Sequence, residues 1–154
     1  MANRVRIALS ALTLGATLAG AGVMGVATAG ATAASACAAI KNLPATYGTT
    51  AKTASSTQLG AAVTKVSIER NGVDRVVAAK GSAAVTKGYR GVAKDLSAEI
   101  TSLQHARALI KAKASRAKVS AAIVVANADN VKADNARGAM GVAVVNLCVP
   151  GSTN

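Results

Sequence analysis

The chain has 154 residues, with 18 Lys and Arg against 6 Asp and Glu, one histidine, two cysteines, two tyrosines and no Phe or Trp. That length points to one domain, and a net charge of +12 favours anionic partners without specifying a fold. One His and six acids are a poor inventory for an enzyme, for a zinc site or for any bound cofactor, and two tyrosines make a poor stacking platform for single-stranded nucleic acid.

Met1–Arg6 carries two positive charges, the run from Ile7 to Ala29 carries none and is largely apolar, and small residues follow up to Cys37. This is the order of a secretory signal peptide. Small side chains are needed one and three residues before the cut. The windows ending at Ala29, Ala33 and Ala36 all meet that need, and cleavage is expected after Ala33 or Ala36. Residues 1–36 are thus read as a signal peptide, and the 118 residues beyond it suffice for one core. Two alternatives keep the chain attached. About 20 apolar residues would span a bilayer if the leader were not cut. Cleavage after Ala36 would expose Cys37 for lipidation, although Ala34 stands where a lipid-attachment motif usually has Leu. Whether the leader is cut or retained, Arg4 and Arg6 hold the N-terminus in the cytoplasm and the body lies outside, so the protein is expected to be secreted or extracytoplasmic.

Cys37 and Cys148 flank nearly the whole exported body, and in an oxidising compartment the simplest reading is one disulfide. Closing a loop of that length is worth up to about 5 kcal/mol in the chain-entropy view. The covalent brace matters because a core of Ala, Val, Ile and Leu buries little area per side chain.

Residues 37–58 contain Pro44, Gly48 and many Ser and Thr, and read as a loosely ordered lead-in. Residues 59–154 read as a single helical domain, with no proline before Pro150. Asn71-Gly72 either ends a helix over about 57–70 or turns a short β-hairpin between TKVSIER and VDRVV. Steps of four and three from Tyr89 through Ala93, Leu96, Ile100, Leu103, Ile110, Ala114, Ala117, Ala121 and Val124 to Ala128 trace one small-or-apolar stripe, broken by Arg107. That spacing predicts a long helix packed against others. Asn127–Asn130 (NADN) reads as a stop and a fresh N-cap, and Val131–Leu147 as a last helix with some strand character. The expected fold is mainly α, a bundle of three or four helices.

His105 reads as a partly exposed helical residue. Asp95 and Glu99 share a face early in the long helix, where negative charge offsets the helix dipole. Asp129/Lys132 and Asp134/Arg137 read as surface pairs. The positive lead is basic: Arg107, Lys111, Lys113, Arg116 and Lys118 fall within twelve residues, behind the stripe of Ile110, Ala114, Ala117 and Ala121. A basic face of this kind suits lipid headgroups, an acidic wall polymer or another polyanion. The expected function is a small exported non-enzymatic protein that contacts anionic surface material. The alternative is an extracytoplasmic carrier whose Ala/Val interior holds a small apolar ligand.

Overall fold

The computed structural model describes residues 24–149, with side chains from residue 32 onward. They form five helices: α1 (Met24–Lys41), α2 (Ser56–Ala79), α3 (Ala83–Lys111), α4 (Arg116–Gly138) and α5 (Gly141–Cys148). Among the described residues there is no strand. The expected helical bundle is present. The leader through Val23 lies outside the described residues.

Serines set the starts of the three long helices. Ser55 and Gln58 form a reciprocal capping box at α2, while the Ser82 and Ser115 hydroxyls accept from the Val85 and Lys118 amides. The inward residues of all three recur at alternating steps of three and four. They are Leu59, Ala62, Val66, Glu69, Val73 and Val76 on α2, and Val85, Tyr89, Val92, Leu96, Glu99, Leu103 and Ala106 on α3. On α4 they are Val119, Ala122, Ala126, Asp129 and Ala133, with Ile123 beside them. This is the seam of helices packed lengthwise. α3 lies in the middle and packs extensively on both α2 and α4, which barely touch each other. Residues 42–55, which contain no helix, run back along that open side as a strap.

Two readings of the turns are corrected. Asn71-Gly72 neither ends a helix nor turns a hairpin, because α2 runs straight through it. Gly72 is there for space: a Cβ would overlap the Pro44 ring of the strap. Conversely, the single stripe from Tyr89 to Ala128 is two helices. α3 stops at Lys111, and Lys113 takes a left-handed conformation (φ 55°). The Lys113 amide bonds to the Ile110 carbonyl and the Ala114 amide to that of Leu109 (3.0 and 2.9 Å), a Schellman closure without glycine. The second half of the stripe therefore points outward, with Ala117, Ala121, Val124 and Ala128 all exposed.

Cys37 and Cys148 are joined, with their Cα atoms 5.5 Å apart. The bond ties α1 to α5 beside the α2–α3 turn, where a Cβ on Gly81 would run into Ala36 and Leu147. The Cys37 sulfur is thereby removed from the thioether chemistry of a lipid anchor. No helix among the described residues is long and apolar enough to cross a membrane.

Candidate functional site

The five basic residues do not share one helix face, as a continuous helix would have required. They surround the α3–α4 turn. Arg107 lies one turn before the end of α3 and Lys111 in its last turn, Lys113 belongs to the turn itself, and Arg116 and Lys118 to the first turn of α4. All five are exposed. The Arg107 guanidinium lies against Gly60 of α2. Lys52 of the strap joins Arg116, Ile110 and Ala114 around a pocket of about 250 Å³ at the same end. No acidic residue occurs between Ile100 and Ala128, so this end of the bundle carries uncompensated positive charge.

The helix dipole favours Lys111 at the end of α3, but local folding preferences do not call for the cations that follow it. A left-handed residue at a helix end is usually Gly, because a Cβ crowds the following backbone. Lys113 and, at the end of α2, Lys80 (φ 51°) both depart from that rule. The first turn of a helix favours negative charge, yet α4 opens with Arg116 and Lys118 and has no acid there.

The acids lie elsewhere. Glu69, Glu99 and Asp129 each occupy an inward position of α2, α3 and α4, and Glu69 and Glu99 are 1% exposed. They form a polar layer, in which Glu69 fastens the strap directly and Glu99 through Asn130, whereas Asp129 bonds to Ser102 and Lys132. Glu69 accepts from the Tyr47 amide (2.9 Å) and from the Arg137 guanidinium (2.7 Å). The Asn130 amide donates to the Tyr47 carbonyl (2.7 Å) and to Glu99 (3.4 Å). Asn127 closes a pair of bonds with the Thr50 backbone, accepting from its amide (2.8 Å) and donating to its carbonyl (2.9 Å). Lys65 caps the Tyr47 ring at 5.7 Å. The NADN motif thus lies inside α4 and serves as the clamp on the strap. Arg137 reaches across to Glu69, leaving Asp134 without the expected partner, whereas Asp129–Lys132 forms as expected (2.8 Å).

Burial pushes the Glu99 carboxyl up to about 7. The Asn130 amide pulls it down, and the charges of Glu69, Asp134 and Asp129 add to the rise. Burial likewise raises Glu69, against the pull of the Tyr47 amide and Arg137. Asp95 and Glu99 therefore do not form an exposed pair at a helix start, because Glu99 belongs to the core. Lys132 is raised by its bond to Asp129.

On the outer side, a groove of about 510 Å³ separates α3 from α4, with His105, Leu109, Lys118, Ala121 and Val125 along it. His105 is exposed. Ser102, one turn from it, donates directly to Asp129 (3.4 Å), whose other oxygen is held by Lys132. A nucleophile relay needs the imidazole between hydroxyl and carboxylate, and here the carboxylate meets the hydroxyl without it. Among the described residues no three His, Cys, Asp or Glu side chains are grouped to hold a metal. No family model matches the chain, and neither a curated protein nor a solved structure matches it.

Proposed function

We propose that this is an exported, non-enzymatic protein that contacts anionic surface material through the α3–α4 end of its bundle. The leader delivers the chain across the membrane and is cut after Ala33. That cut leaves in place Ala36, which is fully buried beside Gly81. The Cys37–Cys148 bond suits an oxidising compartment.

The observation that carries the reading is the charge separation. Arg107, Lys111, Lys113, Arg116 and Lys118 crowd one end with Lys52, and the acids gather in and around the buried layer or on the outer faces away from that end. Three of these cations occupy positions where folding alone favours Gly or an acid. A local preference overridden at several neighbouring positions is the mark of a site shaped by something other than stability. The ligand is a polyanion: an acidic wall polymer or an anionic membrane surface.

Binding to long-chain polyphosphate, followed by calorimetry over a range of salt, tests this. Five neutralised phosphates of a single chain, each releasing about 0.7 of a counterion, would weaken binding about a hundredfold between 50 and 200 mM salt. Reversing Lys111, Arg116 and Lys118 to Glu should abolish it. The changes at Arg116 and Lys118 place acids in the first turn of α4, where they favour the helix and offset the acid that Lys111→Glu places at the end of α3, so the variant remains folded. Binding that survives both high salt and the reversal would defeat the proposal.

A further inference from the structure

We infer that the groove between α3 and α4 is a binding site for a single-chain amphiphile with an acidic head, the tail lying along the groove and the head at its Lys118 end. The inference rests on the polyanion reading for the head group and adds a tail to it. The groove's walls are mostly apolar, from Leu109 on α3 to Ala121, Ala122 and Val125 on α4. Val125 is 54% exposed, which leaves a large apolar side chain of the groove facing water. A volume of about 510 Å³ falls within the range of small-molecule sites.

Charge fixes the orientation of the ligand. The two helices run antiparallel, so Leu109 and Lys118 lie at the end that carries Lys111, Lys113 and Arg116. At the opposite end the groove is lined by Thr101 and Ser102 with no Lys or Arg, and Ser102 is bonded to Asp129, whose charge Lys132 matches. The head belongs beside Lys118, and the tail points toward Ser102. Length follows from helix geometry. Thr101 to Leu109 on one wall and Lys118 to Val125 on the other cover about 10–12 Å at the helical rise. An extended hydrocarbon advances about 1.25 Å per carbon, given a bond of about 1.5 Å and an angle near 111°. The groove therefore accommodates a tail of roughly eight to ten carbons. The ligand is taken free from solution, because a lipid seated in a bilayer would have to withdraw its tail and lay it along the helices.

The test is a chain-length series of alkyl phosphates from butyl to tetradecyl, each titrated below its aggregation concentration into the disulfide-bonded protein. Each methylene fully buried is worth roughly fourfold in affinity and half-buried about twofold. Affinity should climb by those factors to about ten carbons and then level off. Filling the groove with Ala121→Trp, at an exposed position, should weaken decyl phosphate at least tenfold. The neutral decyl maltoside should bind at least tenfold more weakly than decyl phosphate. Affinity that keeps rising past twelve carbons, or an Ala121→Trp protein that binds decyl phosphate as well as the parent, would overturn the inference. So would equal binding of the maltoside, or binding only to anionic phosphatidylglycerol vesicles. The two readings fail separately. Loss of the chain-length dependence with polyphosphate binding intact rejects the groove alone. A chain-length series that persists while polyphosphate does not bind rejects the cationic end instead.

Discussion

Replacing Glu99 by Gln keeps the shape of the side chain and removes a buried charge from the centre of the bundle. In the folded protein the carboxyl titrates at about 7 instead of its ordinary 4.5, with burial the leading cause. A carboxyl that holds its proton more tightly when folded stabilises the native state only while protonated. Stability therefore falls as pH rises from the unfolded value to the folded one, and is level above it. A rise from 4.5 to about 7, at about 1.36 kcal/mol per unit, amounts to about 3 kcal/mol lost between acid and mildly alkaline pH. The Glu99→Gln protein lacks that loss. Its stability should lie about 1 kcal/mol below that of the parent at pH 4.5, through imperfect hydrogen bonding to Asn130, and exceed it by about 2 kcal/mol at pH 8. Glu69 is raised as well, so both proteins keep a shallower fall of the same sign. Urea unfolding followed by far-UV circular dichroism, which suits a chain without tryptophan, measures the difference at each pH. Parallel stability profiles for the two proteins between pH 5 and 8 would refute the reasoning.

Two further outcomes concern the framework. Gly72→Ala should lower stability by about 1–3 kcal/mol, because the new methyl meets the rigid Pro44 ring. Gly91→Ala, at an exposed site in α3 with open space around it, should raise stability by about 0.5–1 kcal/mol, and the urea midpoints should move in opposite directions. Replacing both Cys37 and Cys148 by Ser should cost up to about 5 kcal/mol. The parent protein treated with reductant should then unfold at the same urea concentration as the double variant.

Much of the fold could be read from the sequence, and the failures have physical reasons. The stripe from Tyr89 to Leu103 carries Tyr89, Leu96, Ile100 and Leu103, large side chains on one face, so its helix and inward face were predictable. Beyond Leu109 the same arithmetic continues through alanines, which fit either a core or a surface. α4 buries Ala122 and Ala126 and exposes Ala117 and Ala121. The turn between the two helices contains no Gly or Pro to announce it, since Lys113 adopts the conformation that Gly would normally take. Asn127 and Asn130 look like helix breakers because Asn side chains compete locally for backbone groups. Here they are occupied by Thr50 and Tyr47, 77 and 83 residues away, and no local reading detects such partners. The basic cluster was legible as residues but not as a place. Its position at one end depends on the same unannounced turn, and Lys52 joins it only through the path of the strap.

The position of the disulfide has a mechanical consequence. Cys37 and Cys148 meet beside Gly81, at the pole of the bundle where α3 begins, and the cationic turn lies at the pole where α3 ends. A helix of 29 residues keeps the two about 43 Å apart. Whatever is joined before Cys37 or after Cys148 leaves from the same pole, so a tether, a fusion partner or a solid support attached on either side would hold the molecule like a mast with its charged tip outermost.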